Sequence, residues 1–596
     1  MRRTRTALLS LASALLIAPA LHGMESSAGG PASASLGALA ERYYDELLAL
    51  TPTFATKTGE HRYDDRLEDS ATPGYQEAHL ALARRYREAL SRLDPKSLDE
   101  AALVTYDVMA DKLDTTLAGA PYPDYLFSFD QIQGVPATLV VYGSGVGAQP
   151  LKTVSDYETF LRRCDAFVRW VDHAIPSLRA GMEKGLTHPK PVAERTAESL
   201  RIVAGAKLED SPFWKAITDM PRSFPGADRS RLTAAWREKI TGHVLPAYGR
   251  LADFMQHEYL PRARTSVGWS GLPNGEAWYR YEIRTATTLD LVPEDVHAIG
   301  LREVARLRTE MDAVRVRVGF QGDLAAFLRF VQTDPRFYFK SGPEMVAAYQ
   351  KVKTRVDAQL PELFRALPRS GYVIREMEAY RAVNTPGGQY FSAPPDGSRP
   401  GVFYVNTHDL MGLPNYITES LSLHEGSPGH HVQVEIAHEL QGQPRLQRFE
   451  SNSAFMEGWA LYAETLGKDL GLYSDPYQWY GHLTEQMLRA MRLVVDTGLH
   501  TRGWTREQAV QYMLDNSSMA RESIEIEVDR YMVWPGQALA YQTGKMKILA
   551  LRAKAEQELG EKFDIRDFHS QILNSGPLPL GALERKMERW ISATKR

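Results

Sequence analysis

From about residue 36 onward, apolar side chains recur mostly at three- and four-residue spacing, the mark of helices with one buried face. Segments 36–50, 74–93 and 97–117 carry this pattern, with breaks at Asp94-Pro95 and Pro121-Tyr122-Pro123. Segment 155–185 reads as one long helix or two, 191–205 as another, and 230–262 as a helix kinked at Pro246. Val292-Pro293-Glu294-Asp295 opens a helix to about Val318, and 323–332 and 342–360 follow. Between 368 and 420 the period changes. Segments 372–377 and 401–406 are rich in β-branched and aromatic residues and predict strands. Helices resume near 415 and continue through 475–499, 517–529, 537–559, 564–573 and 580–594. A capping box, Thr505-Arg506-Glu507-Gln508, opens one more. No fixed-period repeat interrupts the run. The expected fold is mostly α: one large two-lobed helical domain over 36–596, with a deep cleft and a small β-sheet leading into the helix near 420.

Composition narrows the field. Hydrophobic residues make up 43% and charged residues 24% of the 596, as in ordinary soluble globular proteins. A net charge of −4 gives no sign of a nucleic-acid or anionic-membrane partner. Cys164 is the only cysteine, so neither an internal disulfide nor a cysteine-based metal site is expected. Arg2, Arg3 and Arg5 precede a short apolar run, 7–21, and Ala18-Pro19-Ala20 offers a cleavage site. Residues 1–23 therefore read as a secretory signal and 24–35, rich in Gly, Ala and Ser, as a disordered lead. No cysteine follows the signal, so no lipid anchor is expected there, and no later segment is long and apolar enough to span a bilayer. The mature protein is expected to be soluble, in the periplasm or outside the cell.

The chemistry concentrates in Leu421-Ser422-Leu423-His424-Glu425-Gly426-Ser427-Pro428-Gly429-His430-His431 and in Glu457-Gly458-Trp459-Ala460-Leu461-Tyr462-Ala463-Glu464. Catalytic zinc keeps three protein ligands and an open position, with a carboxylate nearby to take a proton from water. The usual helical solution places two histidines one turn apart with a glutamate beside the first. His424-Glu425 begins that way, but His430 is six residues on and His431 seven. On a regular helix the sixth residue points about 120° away, and the seventh stands about 10 Å up the axis. Neither can share one ion with bonds near 2.0–2.1 Å. Gly426, Pro428 and Gly429 can interrupt the helix and let a bulge or loop fold the extra residues out. Which imidazole then returns to the site, His430 or His431, stays open. The plainer alternative is a helix end, a turn and a new helix from Pro428, with the histidines as caps or core donors.

The pieces His424-Glu425-x-x-Pro428-Gly429-His430-His431, Glu457-Gly458-Trp459-Ala460 and Pro535-Gly536-Gln537-Ala538-Leu539-Ala540-Tyr541 resemble the bacterial family called domain of unknown function 885. Asp396-Gly397-Ser398-Arg399-Pro400-Gly401, Tyr404-Val405-Asn406-Thr407, Phe568-His569 and Gly576-Pro577-Leu578-Pro579-Leu580 match as well. The family in turn resembles helical zinc peptidases such as angiotensin-converting enzyme, thimet oligopeptidase and dipeptidyl peptidase III. That resemblance implies one zinc ion, His424 as first ligand, Glu425 as general base, His430 or His431 as second ligand and Glu457 as third. Glu464 is a further candidate or a partner for a ligating histidine. A late tyrosine as oxyanion donor is implied too, with Tyr541 ahead of Tyr531.

Other candidates rest on chemistry alone. Arg530 can take a substrate carboxylate in a bidentate grip. Residues 401–406, with Tyr404 and Asn406, can act as an edge strand for an extended peptide. His569 is a further substrate-binding candidate. Asp496 and His500, four residues apart, read as a hydrogen-bonded or capping pair rather than a metal site. The expected function is a secreted zinc peptidase for short or unfolded peptides. The alternatives are a peptide-binding protein with a degenerate site and a zinc hydrolase of non-peptide amides or esters.

Overall fold

The computed structural model describes residues 30–145, 147–377, 387–393 and 399–596. The expected signal 1–23 and the motif residues Asp396, Gly397 and Ser398 lie outside them. Helices used below are numbered in chain order: α1 Pro31–Leu50, α2 Pro73–Ser91, α3 Glu100–Ala118, α4 Val154–Glu183, α5 Lys190–Gly205, α6 Leu245–Phe254, α7 Gly275–Thr287, α8 Pro293–Arg317, α9 Gly342–Asp357, α10 Thr418–Glu425, α11 His430–Glu439, α12 Ser453–Thr465, α13 Pro476–Thr501, α14 Arg521–Val533, α15 Gln537–Leu559, α16 Ile565–Leu573 and α17 Leu580–Lys595. The fold is mostly α with one three-stranded sheet.

Local sequence explains most boundaries. α1 opens with a proline at its first position, where no intrahelical donor is lost, and so begins at Pro31, inside the stretch expected to be a disordered lead. α4 runs unbroken through Pro176, opened by a reciprocal Thr153–Asp156 capping box. The expected kink near Pro246 takes another form. A π-turn at Ile240–Val244 stands just before that proline, and a second follows at Met255–Tyr259. A wider turn absorbs the missing amide donor without breaking the rod.

Apolar side chains gather in three large clusters. One joins α1, α2 and α3 to α12, α15, α16 and α17, so both ends of the chain share a core. A second packs α8, α9, the sheet, α13 and α14. The third draws on residues 71–259. A cavity of about 910 Å³ lies where segments of all three meet, lined among others by Asp124, Trp278, Glu282, Asn452, Trp534 and Gln537.

The sheet has the order β1 (Tyr372–Glu376), β3 (Gly401–Val405), β2 (Gly388–Phe391). β1 runs parallel and β2 antiparallel to β3. β3 is therefore central and offers no free edge to a peptide, contrary to the expectation for 401–406. The Asn406 amide extends that ladder by donating to the Gly387 carbonyl at 2.8 Å. The edge nearest α10 is β2, a four-residue strand.

α12 is closely packed. Every residue of α12 from Gly458 to Glu464 is buried, as in a helix enclosed on all sides. α12 crosses α15 glycine on glycine. A Cβ on Gly458 would stand 2.5 Å from the Gly544 Cα, and one on Gly544 would fall onto the Ala454 carbonyl oxygen.

Candidate metal centre

α10 ends at Glu425 and α11 begins at His430. Between them Gly426–Gly429 form a tight loop that contains a cis Ser427–Pro428 peptide. Gly429 is folded back onto the end of α10, where a Cβ would collide with the carbonyl oxygens of Leu423 and His424. The Trp459 indole, on α12, donates to the Pro428 carbonyl at 2.8 Å and pins the loop from the far side. The helix thus ends and restarts, and the restart brings an imidazole back to His424.

That imidazole is His430. Its ring meets the His424 ring edge to face, centroids 4.8 Å apart. Both Nε2 atoms lie 3.5 Å from Glu457 Oε2. One donor atom from each of His424, His430 and Glu457 falls within 4.8 Å of the others. Glu457 Oε2 is buried and accepts no hydrogen bond. His424 is oriented from behind, since its Nδ1 lies 2.8 Å from Glu464 Oε1 and Nε2 is left to face the group. Glu464 is fully buried and also accepts from the Ser420 hydroxyl at 2.9 Å, with His482 Nδ1 3.6 Å away.

The electrostatics show a site that wants positive charge. Burial works against a charged His424, but the carboxylates of Glu457 and Glu464 beside it carry its pKa up to about 10. Burial alone would raise Glu457; the His430 and His424 charges instead hold it well below the usual carboxylate range. Glu425, the last residue of α10, is buried and its pKa is raised by desolvation. Its Oε2 accepts the Tyr390 amide of β2 at 2.8 Å, which fixes the carboxylate beside the group. A carboxylate with raised affinity for protons is suited to general base work.

His431 points elsewhere. Its ring lies tilted against Tyr372, centroids 4.5 Å apart, and its Nδ1 lies 2.9 Å from the Tyr390 hydroxyl, which donates to Glu435 at 2.7 Å. Consecutive helical residues differ by about 100° in direction, so only one of the pair can face His424. Burial lowers the pKa of His431 to about 3.

A profile of the family described as bacterial protein of unknown function (DUF885) matches residues 52–587. The chain belongs to this family. A solved structure from Colwellia psychrerythraea, provisionally described as a lipoprotein, is 28% identical, with a TM-score of 0.86 over 94% of this chain and 99% of that one. A second, from Shewanella oneidensis, provisionally described as a lipoprotein of unknown function, is 17% identical with a TM-score of 0.70 over 93% and 99%. It shares the fold. A provisionally assigned oligoendopeptidase F from Bacillus anthracis is 12% identical with a TM-score of 0.29 over 88% and 97%, too slight a likeness to say anything further. No curated protein matches the chain. No helix among the described residues is long and apolar enough to cross a membrane.

The other motif residues of this DUF885 chain divide by environment. Tyr541 lies on α15 under the Arg492 guanidinium, 4.3 Å from ring centre. Tyr531 is not available as an oxyanion donor: it is buried and donates to Glu527 Oε2 at 2.5 Å while accepting from Arg492 Nε at 3.1 Å. Arg530 stands in the same cluster, 3.5 Å from Glu527 Oε2. His569 is a core histidine, not a substrate contact. It is 0% exposed, its Nδ1 lies 2.8 Å from the Leu363 carbonyl and its Nε2 2.8 Å from the Tyr462 hydroxyl. His500 accepts the Trp269 amide at Nδ1 and lies 3.0 Å from the Tyr531 carbonyl at Nε2, while Asp496 accepts from Tyr279 and Gly536. Tyr390 and His482 were not singled out by sequence; only their places in the fold bring them to the group.

Proposed function

We propose that this DUF885 protein is an extracytoplasmic zinc-dependent hydrolase of short or unfolded peptides. The observation that supports it is the convergence of His424, His430 and Glu457 on one point, with Glu425 alongside. Two imidazoles and a carboxylate form a common donor set for catalytic zinc, and the unpartnered Glu457 Oε2 is the acceptor that such an ion would satisfy. When bound, zinc supplies Lewis acidity that lowers the pKa of nearby water and polarises a carbonyl. The protein supplies the rest. Glu425 receives the water proton and returns it to the departing amine, its carboxylate kept in place by the Tyr390 amide. With zinc bound, Glu464 would hold His424 in the tautomer whose Nε2 is free of a proton. Tyr541 is the donor offered to the developing oxyanion. The cavity of about 910 Å³ is the proposed route of approach: Ser453 and Gln537 line it, one helical turn before Glu457 and Tyr541, which do not.

The test is metal analysis of the purified protein paired with peptide hydrolysis. Wild type is expected to hold one zinc per chain and to cleave peptides in a chelator-sensitive manner. Glu425→Gln is expected to keep the metal and lose at least about 100-fold in kcat, the scale of general base catalysis. A Glu425→Gln enzyme as fast as wild type refutes the assignment.

A further inference from the structure

One buried cluster on α13 and α14 has more positive than negative charge. Arg492 on α13 and Arg530 on α14 share a single carboxylate, Glu527. Arg492 donates to Glu527 Oε2 through Nε at 3.2 Å and Nη2 at 2.9 Å, and Tyr531 donates to the same oxygen. Glu527 is therefore saturated on that side. Neighbouring acids are engaged elsewhere: Glu485 by Arg489, and Asp496 by Tyr279 and the Gly536 amide. Arg492 Nη1 and Arg530 Nε and Nη2 remain buried with no hydrogen-bond partner among the described residues. The side chains are only 6% and 18% exposed. Guanidinium donors that are cut off from water and make no hydrogen bond carry a desolvation penalty that an anion would relieve.

The place of the cluster indicates which anion. Arg530 stands two residues before Met532, and Met532, Val533 and Trp534 line the large cavity. Arg492 covers the Tyr541 ring, and Tyr541 follows the cavity residue Gln537 by one turn. At its other end α13 reaches the metal group, where His482 Nδ1 lies 3.6 Å from Glu464. Arg492 thus lies on a helix that reaches the metal group, and Arg530 on one that lines the cavity. We infer that Arg492 and Arg530 form a subsite for a carboxylate of the substrate, which anchors the peptide while its scissile bond lies at the metal group. The inference rests on the peptidase reading for its substrate and names the substrate's chemistry: a peptide with a carboxylate a short distance from the bond to be cut. Planar guanidiniums match a carboxylate in paired hydrogen bonds. A terminal carboxylate and an acidic side chain share that chemistry.

Paired peptides separate the two sources. One pair exchanges the C-terminal acid for its amide; the other exchanges Glu for Gln at each position in turn. Wild type is expected to lose about 10- to 100-fold in kcat/KM in one of the pairs, the worth of a charged hydrogen bond. In Arg530→Gln and in Arg492→Lys the acid-to-neutral ratio is expected to fall towards one, with zinc content unchanged. A wild type indifferent to both exchanges, or a ratio that survives both variants, overturns the subsite and leaves the peptidase reading intact. Binding of N-acetylglutamate against N-acetylglutaminamide, by calorimetry, tests the subsite without turnover. Tighter binding of the acid by wild type than by Arg530→Gln upholds it even if no peptide is cleaved; equal binding by the two proteins overturns it.

Discussion

Gly544→Ala puts the geometry of the centre under direct mechanical test. In the structure a Cβ at this position would fall on the Ala454 carbonyl oxygen and stand 2.7 Å from the Gly458 Cα. Carbon atoms in contact prefer about 3.5–4.0 Å, so α12 and α15 must part by about 1 Å. Both obstacles are backbone, and no side chain can rotate aside. Overpacking of this kind costs about 1–3 kcal/mol. A second effect follows from position, because Glu457 is the neighbour of Gly458. Metal sites tolerate about 0.2 Å of ligand displacement. Zinc affinity is therefore expected to fall together with stability. Gly249→Ala in α6 is the control, since nothing lies within 4 Å of its added Cβ. There the gain in helix propensity is expected to stabilise by about 0.5–1 kcal/mol. Urea denaturation of both variants, with metal content measured alongside, reads the two effects. A Gly544→Ala protein as stable as wild type, with full zinc, would show that the helices do not cross this closely.

Two further outcomes follow from buried carboxylates. Glu464→Gln keeps the size of the side chain but weakens the hold on His424 Nδ1, and zinc affinity is expected to drop about 10- to 100-fold in chelator competition. Burial alone would raise the pKa of Glu527, but Arg492 and Arg530 beside it lower it from 4.5 to about 2. A depressed acid stabilises fully above its unfolded value and loses that contribution as pH falls. About 3 kcal/mol should therefore disappear between about pH 4.5 and pH 2, a loss that Glu527→Gln should not show in acid titrations of unfolding.

Periodicity made most helices legible because each of those buries one face, and strongly periodic segments such as α4 and α13 lie close to where the pattern puts them. The residue types of the centre were legible as well, since His424-Glu425 and Glu457 announce themselves by chemistry. The choice between His430 and His431 was not. It depends on the path of four residues, Gly426 to Gly429, and on Trp459 holding that path from another helix. The sheet order was hidden for a different reason. β2 is only four residues long and has no repeat of its own, so Tyr390 gave no sign that its amide would meet Glu425. His569 shows the opposite failure: it stands within a matched motif, yet two hydrogen bonds inside the core account for it.

The indole of Trp459 and the carboxylate of Glu457 project from the same rod, two residues apart. One of them steers the loop that delivers His430, and the other meets His430 directly. Any drift of α12 therefore carries both sides of the assembly along. A disturbance that slides this rod as a unit should be forgiven, whereas one that rolls it about its axis should take the pair out of alignment at a stroke.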